Sequence, residues 1–254
     1  HPKKDQEWYE KQLREKTREE ILQELEMDPY VDDGNLVYPG WQQVRREQRS
    51  YDPNKLLYCS WDFGLDTTCI IWWQLDRESG EIICLDCIQR KDRPIDWFVP
   101  FVTGSIPDGY EDQYTEEEKQ KIAEHRSWGS AIHFGDPAGS NRHVGTGLSV
   151  LDVLRSYGIY VFTNPKARNF LTRKQLTEIG IRNVVVNYQP GRVIDASLVD
   201  EAMSRARKDE HGKPVHDATS HLRSAVEYFF VNLPPFRAPR RPEPVVQKMA
   251  YDRL

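Results

Sequence analysis

An apolar run that ends on a carboxylate constrains this chain more than any other feature. Leu56-Leu57-Tyr58-Cys59-Ser60-Trp61 leads into Asp62, Phe63-Gly64 turns the chain, and Cys69-Ile70-Ile71-Trp72-Trp73 runs back. The pattern predicts two antiparallel strands with Asp62 at the tip of the first. An ionised carboxylate at the end of a buried strand is costly alone, so it is paired or metal-bound. The rest of the chain must supply the partner.

Two further acidic residues occupy the same kind of place. Ala131-Ile132-His133-Phe134-Gly135 is a short apolar strand that ends on Asp136 and is broken at once by Pro137. His216-Asp217 opens the last element, whose apolar face is Leu222, Ala225, Val226, Phe229 and Phe230. If the strands ending on Asp62 and Asp136 are parallel neighbours, both side chains enter the crevice at the carboxyl end of the sheet. A helix crossing that sheet would bring Asp217 to them. Three carboxylates without matching cations repel one another, and divalent metal is the usual remedy. Oxygen ligands select Mg²⁺ or Mn²⁺, and two such ions about 4 Å apart serve phosphodiester hydrolysis. Each residue also has a plainer role open to it: Asp136 as a turn residue, Asp217 as a helix cap. Asp66, in the turn after Asp62, and His221, expected one helical turn after Asp217, are auxiliary candidates.

Between these points the chain alternates. Strands are predicted at about 55 to 62, 67 to 76 and 81 to 89, forming a meander. Helices open at Pro94 and at Thr115, where Glu116-Glu117-Glu118 suits a helix N-terminus. After Asp136 come a helix near 147 to 157, a strand at Tyr160-Thr163 and a helix from about Thr172. Val184-Val186 reads as either helix end or strand. Gly191-Asp195 reads as a short strand, and Ser197 caps a helix to about Lys208. Helices alternating with strands imply parallel pairing. The expected organisation is a helical and connector segment over 1–53, an α/β domain over 54–233 and a Pro-rich tail over 234–254. That tail holds five prolines and a net charge of +3, a composition fit for a docking segment. Ahead of the core, Thr17-Arg18-Glu19-Glu20 is a capping box followed by the apolar stripe Ile21, Leu22 and Leu25.

Composition excludes some classes. With 38% hydrophobic residues in 254, a large core is available, but no apolar run reaches the roughly 20 residues of a membrane span. The net charge of −5 argues against a protein that coats nucleic acid through global charge. It leaves room for a local basic surface, and Lys166, Arg168, Arg173 and Lys174, with Arg142 after the second Asp, are the candidates for phosphate contact. Cys84 and Cys87 have C-x-x-C spacing, but positions three apart on a regular strand face opposite ways. With Cys59 and Cys69 they read as buried free thiols of a reducing compartment.

Taken in order, Trp61-Asp62-Phe63-Gly64, Phe134-Gly135-Asp136-Pro137-Ala138-Gly139 and His216-Asp217 before an amphipathic helix resemble the nuclease domain of tailed-phage large terminase subunits. The resemblance extends to about Phe230 and includes the N-terminal Glu7-Trp8-Tyr9 and Val37-Tyr38-Pro39. It implies an α/β, RNase H-like fold: a mixed sheet with an antiparallel meander followed by parallel strands, and helices on both faces. It implies an Mg²⁺- or Mn²⁺-dependent endonuclease that cuts double-stranded viral DNA concatemers during genome packaging, with Asp62, Asp136 and Asp217 as catalytic metal ligands. The implied partners are DNA and, in the whole protein, an ATPase domain ahead of residue 1, the portal and the small terminase subunit, in the host cytoplasm. No G-x-x-x-x-G-K-[ST] loop is present, so no ATPase motor is expected in this chain. The chain departs from the family in one place: many members have an acidic residue one turn into the last helix, where this chain has Ser220-His221. Other readings are an RNase H- or resolvase-type nuclease acting on hybrid or branched nucleic acid, and a non-catalytic module binding DNA or the portal. Asp62-Phe63-Gly64 also resembles the first phosphate loop of the actin and sugar-kinase superfamily, whose two-domain cleft this length does not hold.

Overall fold

Alternation along the first long strand decides which side of the sheet carries the site. In the computed structural model, which describes residues 34–64, 66–142 and 147–234, this strand is β2 (Leu56–Phe63), preceded by a short β1 (Arg45–Glu47). Leu57, Cys59 and Trp61 join one apolar cluster and Tyr58 the other, as a period of two requires. Ser60 and Asp62 therefore share the face of Tyr58.

The described residues form one sheet of seven strands. The others are β3 (Thr67–Leu75), β4 (Ile82–Lys91), β5 (Ile132–Gly135), β6 (Val161–Phe162) and β7 (Val184–Asn187). The order is β1-β7-β4-β3-β2-β5-β6. The β2-β3-β4 meander is antiparallel, whereas β5 is parallel to β2, β6 to β5, and β7 to both β4 and β1. This is the expected mixed sheet, an antiparallel meander with parallel strands beside it, extended by β7 and β1 at the β4 side.

Helices cover both faces. On one lie α1 (Val99–Thr103), α2 (Glu116–His125) and α3 (Val150–Ser156), packed through Phe101, Ile122 and Leu154 on Trp61, Ile70 and Trp72. On the other, α4 (Phe170–Gly180), α5 (Ser197–Arg205) and α6 (Ser220–Asn232) follow. The last crosses β2, β3 and β5, with Phe229 stacked on Trp73 at 4.5 Å between ring centroids. The expected helix caps at Thr115 and Ser149 take shape as full capping boxes.

Several elements differ from expectation for local reasons. Residues 191–195 form no strand: Asp195 Oδ1 accepts from Gln189 N at 2.7 Å and closes a turn. Val184–Asn187 resolves as a strand. The packed unit takes in chain ahead of residue 54, since Leu36, Val37, Tyr38 and Trp41 are buried and β1 pairs with β7. β1 is charged yet sits in the sheet because Arg46 Nε meets the buried Asp200 at 2.8 Å. The N-terminal capping box and most of the Pro-rich tail lie outside the described residues.

Cys84 and Cys87 also depart from a simple reading. The register between β3 and β4 slips at Trp72/Trp73, so that β4 has one extra residue there. This bulge resets the alternation and puts both thiols in the same cluster, under α5 and α6. Both are buried and unbonded to sulfur, and burial pushes the Cys87 thiol to about 12. The same slip turns Asp86 toward α2, where Lys121 Nζ (2.5 Å) and His125 Nε2 (2.8 Å) meet it.

One buried group makes the fold sensitive to acid. His133 is 6% exposed, and its Nδ1 accepts from Trp61 Nε1–H at 3.2 Å, a bond only the deprotonated nitrogen can accept. Burial lowers its pKa from 6.5 to about 4. Between those values the unfolded chain binds the extra proton and the folded one does not, so stability falls as pH falls through that window. The loss amounts to roughly 3 kcal/mol by pH 4. Thermal melts from pH 7 to pH 4 should show less of this decline in His133→Gln than in the parent, and equal declines would refute it.

Candidate active site

The two strand-end carboxylates are brought together by register. β2 and β5 run parallel with Ser60 opposite Phe134 and Trp61 opposite Gly135. One step further along the same register, Asp62 stands beside Asp136, on strands about 4.8 Å apart. Both follow Tyr58 and Phe134 onto the α6 face.

The sequence keeps these ends close through glycine. The Phe63 ring lies where a Cβ on Gly135 or Gly139 would be, at 3.0 Å and 2.6 Å from its nearest ring atoms. Phe63 thus clamps the end of β2 to the Gly-Asp-Pro-Ala-Gly turn. Asp136 begins that turn, Oδ1 accepting from Ala138 N at 2.8 Å. Asp136 has the capping role open to any turn Asp and a place beside Asp62 as well.

Asp62 is 7% exposed. Burial raises its carboxyl above the ordinary value; the hydrogen bond to His221 offsets part of this, and the nearby charge of Asp136 adds to it. His221 Nδ1 pairs with Asp62 Oδ2 at 2.7 Å. That bond to Asp62 in turn lifts the His221 imidazole above its usual range.

Asp217 is placed differently from Asp62 and Asp136. It is exposed, and its Oδ1 accepts from both the amide (2.8 Å) and the hydroxyl (2.6 Å) of Thr219. α6 starts at Ser220, so Asp217 belongs to the turn before the helix. The one-turn spacing expected between Asp217 and His221 is therefore not helical, and it is His221 that reaches Asp62. Asp66 is exposed and faces Lys91 at 3.4 Å.

Gly64 explains how His221 fits. A Cβ there would stand 2.3 Å from the Thr67 carbonyl oxygen and 2.6 Å from His221 Cε1. The glycine is required by the backbone of the turn and by the imidazole at once. Gly64→Ala should cost about 1 to 3 kcal/mol in thermal denaturation. Adding His221→Ala should recover only the part due to the ring, because the carbonyl clash remains.

Two residues of α6 that the sequence pattern did not single out belong to the site. Tyr228 is buried near Asp136. Burial pushes the phenol well up and the charges of Asp136 and Asp62 push it further, so it stays a neutral donor. Glu227 is fully buried behind it, held by Tyr38 Oη (2.9 Å) and by the guanidinium groups of Arg173 (2.8 Å) and Arg223 (3.4 Å). In the sequence Glu227 is marked only by the aromatics that follow it, Tyr228, Phe229 and Phe230.

The expected basic residues divide. Arg173 is turned inward, its guanidinium bonded to Glu227 and the Ala167 carbonyl and lying over the Phe170 and Tyr228 rings. Lys174 pairs with Glu178 one turn on. Lys166, Arg168 and Arg142 are exposed.

The donors suit a hard divalent cation in part. Two adjacent carboxylates, one of them destabilised as an anion by burial, lack a full countercharge, and an imidazole stands at their edge. Among the described residues no group of three or more His, Cys, Asp or Glu is arranged to hold a metal ion.

No family model matches the chain, and no curated protein matches it. Solved structures do. The large terminase nuclease from thermophilic phage G20c is 17% identical, with 77% of this chain and 97% of that chain covered and a TM-score of 0.44. Its magnesium-bound form is 15% identical over 78% and 97% of the two chains, with a TM-score of 0.46. The nuclease domain of g2p, the large terminase of bacteriophage SPP1, with bound Mn, is 14% identical over 76% and 98%, also with a TM-score of 0.46. These neighbours are large terminase nuclease domains. Identities this low and TM-scores below 0.5 leave the chemistry to be argued from the residues themselves.

Proposed function

We propose that this chain is a metal-dependent endonuclease acting on double-stranded DNA, of the kind that cuts viral concatemers during genome packaging. The observation that carries this reading is the parallel register that sets Asp62 beside Asp136 at the carboxyl ends of β2 and β5. Asp62 and Asp136 would hold Mg²⁺ or Mn²⁺, one ion or the two expected from the sequence. His221, bonded to Asp62, is the candidate third donor, and Asp217, whose Oδ1 Thr219 holds, lies in the turn before α6. A cation held there would supply Lewis acidity toward a phosphate and a bound water. The chain's own residues do the rest. Ala138 N orients Asp136, His221 fixes one oxygen of Asp62, and the buried floor of Tyr58, Phe134 and Phe229 limits water from below.

The wider setting belongs to the same proposal: DNA as substrate, an ATPase domain, portal and small terminase subunit as partners, and the host cytoplasm as the place of action. No described helix is long and apolar enough to cross a membrane.

Incubation with supercoiled plasmid tests the reading. Nicked and linear products should form with Mn²⁺ or Mg²⁺ and disappear with EDTA. Cleavage that persists in EDTA, or none with either ion, would overturn it.

A further inference from the structure

The outer edge of the sheet beside the carboxylates has an unusual surface. β6 is the last strand in the order, and among the described residues nothing pairs with its outer side. Phe162 is in register with Phe134, two residues before Asp136, so it lies on the α6 face at the same end of the sheet. Phe134 is 5% exposed, whereas Phe162 is 61% exposed.

The chain then enters a 3-10 turn, Pro165–Arg168. Asn164 holds it, donating to the Val231 carbonyl at 2.9 Å and accepting from Lys166 N at 3.0 Å. Ala167 is buried with Tyr228 and Val231. The turn packs against Pro137–Ser140, the turn that Asp136 caps. Lys166 and Arg168 point outward, and neither has an ion-pair partner among the described residues. A basic turn thus packs against the turn that Asp136 caps, and the exposed Phe162 lies on the edge strand that leads into it.

We propose that Phe162, Lys166 and Arg168 hold an unpaired stretch of the nucleic acid strand that enters the site, its phosphates on the two cations and one base stacked on the ring. This deepens the nuclease reading by naming the form of strand bound, and it rests on that reading only for the direction in which the strand runs. Cations near phosphate give affinity without regard to sequence. A ring presented beside them adds base stacking, which tolerates any sequence because every base has a π face. In an intact duplex each base face is covered by its neighbours, so only a frayed, nicked or single-stranded segment can use Phe162. The carboxylate site would then prefer DNA that is locally opened at the scissile position.

Binding of a single-stranded oligonucleotide carrying 2-aminopurine, with the full chain in EDTA, tests this without cleavage. The parent should quench the fluorophore. Phe162→Ala should abolish the quenching and weaken binding about tenfold, with the salt dependence and the melting temperature unchanged. Phe162→Tyr should restore both. Lys166→Ala with Arg168→Ala should lower the slope of log affinity against log salt by about 1.4 while quenching at saturation remains. Intact duplex should bind the parent and Phe162→Ala equally. Unaltered quenching and affinity in Phe162→Ala would overturn the proposal, as would an equal loss on duplex; the first would leave the rim to a protein partner. Because no metal is present, these outcomes are independent of whether the plasmid is cut.

Discussion

Asp62→Asn should abolish plasmid cleavage, by about a hundredfold or more, in a protein that melts no lower than the parent. The two halves of this result come from the same burial. As a ligand, Asp62 contributes a charge that asparagine lacks, and the cation at the pair loses half its anionic support. As part of the fold, the ionised Asp62 is a cost: burial is the largest influence on its carboxyl and raises it above the ordinary value, with His221 offsetting only part. A carboxyl raised in the folded state holds its proton to higher pH than in the unfolded chain. Its contribution is therefore fully present at pH below about 4 and is lost as pH rises through the folded value. Asp62→Asn carries no such pH-dependent cost and keeps a group able to bond His221. Mn²⁺ should raise the parent's melting temperature by mass action, adding about 3 kcal/mol at a hundredfold excess over Kd, and leave Asp62→Asn unmoved. A variant that melts well below the parent at pH 7 would show Asp62 to be chiefly structural. One that still cuts DNA would remove it from the chemistry.

The residues explain which parts of this arrangement were open to reading in advance. The meander and β5 were visible because their apolar runs are stopped by Asp-Phe-Gly and Asp-Pro signals whose local chemistry dictates the turn. Asp62 and Asp136 stood out because a carboxylate ending an apolar run has few cheap explanations. β1 was hidden: Arg45-Arg46-Glu47 is polar, and its place in the sheet depends on Asp200 and Glu81, distant in sequence. Residues 191–195 misled because Val193 and Ile194 look strand-like, while the turn is set by Asp195 bonding back to Gln189. The same holds at the site. Asp217 and His221 are four apart, and only the start of α6 at Ser220 decides that the imidazole meets Asp62. The Cys84/Cys87 facing depended on a single bulged residue, which no alternation rule can place.

Arg173 shows how far a basic stretch can differ from a nucleic-acid surface, and its removal should have the largest effect on stability. Glu227 is fully buried between Arg173, Arg223 and the Tyr38 hydroxyl. Removing one partner leaves much of a buried charge uncompensated, at a cost of about 3 to 5 kcal/mol, or on the order of 10 °C in Tm for a domain of this size. Arg223 remains at 3.4 Å and softens the loss, so the lower end applies. Arg173→Ala with Glu227→Gln should recover most of it, because the charge that needed the guanidinium is then gone. An arginine lying on the DNA instead would leave the melt unchanged and lower the salt dependence of binding, which is the behaviour expected of Lys166 and Arg168 on the same stretch of chain. Thermal denaturation and salt titration of the single and double variants separate the two. If the double variant is no more stable than Arg173→Ala alone, the buried pair is not what Arg173 supports. Arg173 lies over the ring of Tyr228, the residue near Asp136. A loosened Glu227 should therefore appear in cleavage as a higher metal requirement before any change in the rate at saturating metal.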